Sequence, residues 1–269
     1  MDDIATLGLL DDEAITLDTA ALRIAAADHP GVDLDPYVHI LGAVAERAME
    51  LGGDATTAPE RAAVLAEAIG GDFGFRGDRE RYDDPDNADM VRVLERRLGL
   101  PVSLSILYVA AARRLGWPAD VLGTPGHVLA RIGTELEPVL IDPFDRGAVV
   151  GPDRLQALLA GVLGPGAAPH PDHLAPMTNR ATLVRLLMNQ ATRAEANGLT
   201  ARARTVFERI TAIAPANAHG WWDRARLELA GGDVPAARQS LSAMLEVSRE
   251  PALRAHVCAA LDALAGAGR

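Results

Sequence analysis

The chain has 269 residues, 49% apolar and 23% charged, with a formal net charge of −11 at pH 7. That length buries a core large enough for one large or two modest domains, and the acidic balance repels a phosphate backbone, which sets nucleic acid aside as an expected partner. Every Lys-or-Arg position is arginine, which excludes Schiff-base chemistry, and the single cysteine, Cys258, excludes an intrachain disulfide. The longest strongly apolar run, Leu104 to Ala112, is too short to cross a bilayer. The opening MDDIATLGLLDDEAITLD is acidic where a secretory signal is basic, so a cytoplasmic protein that does not enter membranes is expected.

Residues Thr16 to Ala27 and Val38 to Leu51 repeat apolar positions at helical spacing and predict two amphipathic helices. Between them, Asp28 to Pro36 carries turn residues, with Asp35 as the expected N-cap and Pro36 as the first helical residue. A third helix is predicted over Ala58 to Ile69, closed by Gly70 and Gly71. The glycine- and charge-rich GDFGFRGDRERYDDPDNADM predicts an ordered loop pinned by Phe73 and Phe75, ending in a helix start at Asp84 and Pro85. It lacks the lysine and serine of a phosphate-binding loop. A helix over Val91 to Leu98 follows, whose Arg92, Arg96 and Arg97 face Asp84, Asp86, Asp89 and Glu95 in an expected salt-bridged surface.

After Gly99 and Pro101, VSLSILYVAAARRL over Val102 to Leu115 is apolar almost all round, the mark of a helix buried in the middle of a domain. Gly116, Trp117 and Pro118 end it. The period then changes to two, and VLGT, HVLARI and PVLID predict short strands. A two-residue hairpin at Thr134 and Glu135 would pair Ile132 with Glu137, Leu129 with Leu140, and His127 with Asp142. Opposed residues share a face, so His127 and Asp142 are expected to hydrogen-bond side chain to side chain, and a one-residue slip would part them.

The glycine- and proline-rich GVLGPGAAPHPDHLAP, Gly161 to Pro176, predicts a domain boundary, giving domains over 1–170 and 171–269. Within it, His170 and His173 are three residues apart, but the prolines and the lack of a second pair favour a solvated linker, so no metal and no cofactor is expected. Beyond it the pattern is helical. An offset of 34 residues superimposes Gly198 on Gly232, Ala203 on Ala237 and Phe207 on Leu241, with Pro215 closing the first unit, which is the tetratricopeptide period. Ala203, Phe207, Trp221, Ala225, Ala237 and Leu241 are expected to pack helix on helix, Cys258 to lie in the core, and Trp222 to be exposed.

The stretch GFRGDRERYDDPDNADMVRVLERRLGLPVSLSILYVAAARRLGWP, with GHVLAR and LIDPFDRG, resembles the SirB-type branch of the transglutaminase-like superfamily. That resemblance implies an α+β papain-like core: a helical N-terminal region, a central helix carrying a nucleophile at its N-terminus, and a small antiparallel sheet bearing histidine and aspartate. Tetratricopeptide repeats commonly follow such a core. His127 and Asp142 fall on the matching positions. The nucleophile position falls near Pro101 to Ser103, where no cysteine stands; Ser103 is the closest substitute and Ser105 the second. Three readings follow. The pair is a partly buried hydrogen bond kept by the fold, with no reaction; or Ser103, His127 and Asp142 form a Ser-His-Asp hydrolase or acyl transferase; or the pocket binds a peptide or small ligand without chemistry. The first and third together describe a binding or scaffold protein whose helical repeats take a protein or peptide partner.

Overall fold

The computed structural model describes residues 2–165 and 170–266. Contacts divide the chain into two compact units, Asp12–Leu186 and a second made of Met1–Asp11 with Leu187–Arg269. The protein is α+β: helical, with one small antiparallel sheet.

In chain order, α1 spans Asp2–Leu9, α2 Leu17–Ala26 and α3 Asp35–Gly52. The N-cap of α3 is Leu34, one residue before the expected Asp35, and Pro36 sits in the first turn. Helix α4, Ala58–Leu65, opens with a capping box: the Thr57 hydroxyl accepts from the Glu60 N–H at 3.4 Å, and the Glu60 carboxylate accepts from the Thr57 N–H at 2.9 Å. It does not stop at Gly70 but widens into a π-helical segment, Ala66–Asp72. Both Phe73 N–H and Phe75 N–H close this segment onto the carbonyls of Ala68 and Ile69.

Strand β1, Arg76–Gly77, pairs in parallel with β2, Leu98–Gly99. Between them runs α5, Met90–Arg96, capped by the Asp89 carboxylate, which accepts from the Arg92 N–H at 3.1 Å. Helix α6, Pro101–Arg114, buries every residue from Pro101 to Ala112, as its all-round apolar sequence requires. It contacts α2, α3, α4 and both sheets. Gly116 in the left-handed region turns the chain out of it.

Four strands follow: β3 Ala119–Leu122, β4 Leu129–Ile132, β5 Val139–Asp142 and β6 Ala148–Val149, antiparallel in the order β3-β4-β5-β6. Strand β6 and helix α7, Pro152–Leu163, have no counterpart in the sequence-based reading. The hairpin register is corrected by two residues. Ile132 pairs with Val139 and Arg131 with Leu140, so the connection is the longer 133–138 rather than a two-residue turn. A shift of two preserves the face of every side chain, where a shift of one would have reversed it.

Helix α8, Asn179–Ala196, begins at Asp12, whose two carboxylate oxygens accept the N–H groups of Asn179 and Arg180 at 2.8 Å each. In the second unit, α9 spans Thr200–Ile213, α10 Ala218–Ala230, α11 Val234–Val247 and α12 Pro251–Gly266. The starts of α9 and α11, Thr200 and Val234, keep the 34-residue offset. Ala203, Phe207, Ala225, Ala237 and Leu241 are buried as expected. Trp221 and Trp222 are both half-buried against the Ala225–Leu241–Val257 cluster, so Trp222 is not the exposed aromatic anticipated; its ring lies 4.8 Å from that of His256. Cys258 is exposed, not core, because Val257 beside it takes the inward face of α12. Helix α1 belongs to this unit through α9, where Gly8 is needed: a Cβ there would lie 2.1 Å from the Ala212 carbonyl oxygen.

Gly77 is the second glycine that packing demands. A Cβ on it would come within 2.4 Å of three Phe144 ring carbons, so the side chain that follows the β5 aspartate packs directly on the β1 backbone. Gly77→Ala is expected to lower the free energy of unfolding by about 1–3 kcal/mol through overpacking, read by urea denaturation.

Candidate functional site

His127 lies just before β4, in the turn where its N–H donates to the Thr124 carbonyl at 3.1 Å. Asp142 ends β5. Extending the register from the Ala130–Ile141 pair places Leu129 opposite Asp142, which makes His127 its diagonal neighbour on the same face. The diagonal spacing is within reach of an imidazole, and Nε2 lies 2.9 Å from Asp142 Oδ1.

The carboxylate is almost fully enclosed, at 4% exposure, against 16% for the imidazole. A buried charge persists only when its lone pairs are filled. Oδ1 also accepts the Phe144 N–H at 3.0 Å, and Oδ2 accepts Arg154 Nη2 at 2.8 Å, from the first turn of α7. Burial pushes the Asp142 carboxyl up, but the hydrogen bond and charge of His127, the Arg154 guanidinium and the Phe144 N–H outweigh it and hold it below the usual carboxylate range. Arg154 continues to Asp145 at 2.9 Å, and Asp145 to Arg79 at 2.8 Å. The Phe144 ring stands edge-on to the His127 ring at 6.1 Å and to Tyr82 at 5.7 Å.

Ser103 takes no part in this arrangement. Its hydroxyl, fully buried in the first turn of α6, accepts from the Leu100 N–H at 2.9 Å and lies 2.8 Å from the Asn87 carbonyl and 3.0 Å from that of Leu100. Among the described residues no hydrogen bond joins it to His127. Ser105 is buried without a hydrogen-bond partner. The next polar group along α6, the Tyr108 hydroxyl, is likewise buried and unpartnered; burial and the Asp142 charge push its phenol up.

Around α5, Arg92 pairs with Glu95 and Arg96 with the buried Asp78, as the salt-bridged surface required, though Asp78 was not among the acids foreseen. Arg97 departs from it: in the left-handed region, its guanidinium lies over Phe75 at 4.7 Å and Phe73 at 5.6 Å. A second imidazole–carboxylate pair, His29 Nε2 to Asp89 Oδ2 at 2.8 Å, ties the α2–α3 turn to the α5 cap. Sequence reasoning missed it and missed Arg154, because residues 60 and 12 positions apart share no periodic signal. His170 and His173 stack edge-on at 5.9 Å, and among the described residues no group of three or more His, Cys, Asp or Glu could hold a metal ion. No described helix is long and apolar enough to cross a membrane.

A central helix buried on all sides, laid on an antiparallel sheet that carries a carboxylate-held imidazole, is the arrangement that the resemblance to transglutaminase-like proteins implied. Comparison with known sequences agrees. The profile described as "Transglutaminase-like superfamily" matches residues 35–188, and the chain belongs to that superfamily. It is 30% identical over 246 residues to a UPF0162 protein of Xylella fastidiosa (strain 9a5c), covering 90% of this chain and 87% of that one. A UPF0162 protein of Vibrio cholerae is 38% identical over 117 residues, 43% of each chain. The mouse F-box only protein 21 is 41% identical over 71 residues, 26% of this chain and 11% of that protein.

Asp142→Asn is expected to cost about 1–3 kcal/mol of stability, since the enclosed site loses its charge-assisted bonds to Arg154 and His127 while Arg154 keeps Asp145. Because the folded Asp142 carboxyl titrates below its unfolded value, its contribution is complete above about pH 4 and is lost as pH falls further through the folded value. Denaturation curves from pH 6 down to about pH 2 should therefore show a shallower acid loss for the variant than for the wild type.

Proposed function

We propose that this protein is a SirB-type transglutaminase-like protein that binds a protein or peptide and does not turn one over. In this reading the helices of 171–269 form a tetratricopeptide-like interaction surface. His127 and Asp142 serve as a buried pair that fixes the β4–β5 end of the sheet and shapes the pocket beside it. The protein works in the cytoplasm.

One observation carries the reading: the Ser103 hydroxyl is enclosed and its donor and acceptor capacity is taken up by the Asn87 and Leu100 backbone. A serine nucleophile needs its proton delivered to the base, and a hydrolase needs the hydroxyl within hydrogen-bond reach of the imidazole. Here that proton is directed to a carbonyl. The helix end that would activate a thiolate carries none. The 34-residue offset of the α9 and α11 starts supports the repeat reading.

Labelling with a fluorophosphonate probe tests this. Wild type, Ser103→Ala and His127→Ala are expected to show no Ser103-dependent adduct. Ser103→Ala should instead lose about 1–2 kcal/mol in urea denaturation, because buried backbone groups forfeit a partner. An adduct present in the wild type and absent from both variants would establish the Ser-His-Asp hydrolase in place of this reading.

A further inference from the structure

Beside the Phe144 ring opens a cleft of about 350 Å³ whose walls include Arg76, Arg79, Glu80, Asp145 and Arg146. Three arginines and three acids line it, and their pairing is uneven. Arg79 is held by Asp145, and Asp145 also by Arg154. Asp78, which also lines the cleft, is taken up by Arg96 at 2.8 Å and by the Arg81 N–H at 2.9 Å. Arg76 and Arg146 have no hydrogen-bond or ion-pair partner for their side chains among the described residues, and Glu80 is the one acid of the cleft in the same condition. On a chain of net charge −11, this leaves two unpartnered, solvent-exposed guanidinium groups and one unpartnered carboxylate, a surplus of one positive charge, around one small cavity.

The backbone fixes where the two arginine side chains start. Among the described residues, Arg97 and Arg146 are the non-glycine residues with positive φ, at 59° and 54°. Each is the left-handed C-cap of a short helix, a conformation that glycine adopts more easily than arginine. Arg146 carries one of the unpartnered guanidinium groups. Arg97 accepts the Arg76 N–H at 3.0 Å through its carbonyl and so holds the strand that presents the other. Both helix ends thus help to place the two arginines of the cleft.

We propose that this cleft is a binding site for an oxyanion, a carboxylate or phosphate group on a small ligand, gripped by Arg76 and Arg146. The guanidinium fork matches the planar carboxylate and the phosphate face, and charge-assisted bonds of this kind are the strong ones. The Phe144 ring supplies an apolar wall that excludes water from one side. The volume sits at the lower end of the roughly 300–1,000 Å³ of small-molecule sites, so the ligand is small. The site neighbours the His127–Asp142 pair through Phe144, yet its occupancy does not depend on whether that pair is catalytic or inert.

Calorimetric titration of the full chain at low ionic strength, with inorganic phosphate in one arm and succinate in the other, tests the proposal. At least one probe is expected to bind, with affinity falling about tenfold or more in Arg76→Gln and Arg146→Gly and unchanged in Arg92→Gln, whose guanidinium lies outside the cleft. Binding of phosphate alone assigns a phosphoryl ligand; binding of succinate alone assigns a carboxylate. Arg146→Gly should unfold at the wild-type temperature or above, because it removes backbone strain, and Arg76→Gln keeps the test intact should that variant misbehave. The proposal is overturned if neither probe binds wild type at about 10 mM, or if the two cleft variants bind as wild type does, or if Arg92→Gln loses as much as they do.

Discussion

A helix with no solvent-facing side sets the terms for the Asp12–Leu186 unit. From Pro101 to Ala112, α6 is surrounded, so each backbone and side-chain polar group along it must find a partner inside the protein or remain unsatisfied. The first turn shows how this is met. Leu100 N–H shares the Asn87 carbonyl and the Ser103 hydroxyl, and the hydroxyl returns a proton to backbone oxygen. A serine at this place is therefore an internal cap. The same burial that makes α6 the centre of the unit removes Ser103 from any pocket.

Asp142 shows the complementary case, a charge that the fold brings inside and then compensates from three directions. Its partners come from the turn before β4, the backbone following β5 and the first turn of α7. Each is distant in sequence from at least one of the others, so the pair fastens the sheet to the segment that covers it. The imidazole is held in one orientation, as a general base would be, but a held histidine is equally what a buried carboxylate needs for its own sake. Position alone does not make it catalytic; a reacting partner within reach does.

Local patterns in the sequence were reliable where a single element had only one way to bury its apolar face. The all-round apolar run became α6, the two Asp-Pro segments started helices near where their caps allowed, and the apolar positions of the repeat region went inside. They failed where wide turns or short elements were at stake. Gly70 did not end α4, because a π-helical widening lets its backbone approach Arg146, to which a Cβ would come within 2.8 Å. The two-residue β6 and the 133–138 connection are settled by pairing with β5, which a one-dimensional pattern does not record.

By itself the sequence determined a run of helices interrupted by short strands, the all-round apolar helix among them, the absence of a thiol at its N-terminus, and the parity that leaves His127 and Asp142 on one face under any register shift of two. These follow from composition and from periods of 2 and 3.6, which are local properties of the chain. Only the tertiary structure decided that Ser103 faces backbone carbonyls, that Arg154 completes the Asp142 shell, and that Arg76 and Arg146 share a cleft without an ion-pair partner for either. Those outcomes depend on which distant segments fill the space around a side chain, and no spacing along the chain encodes that.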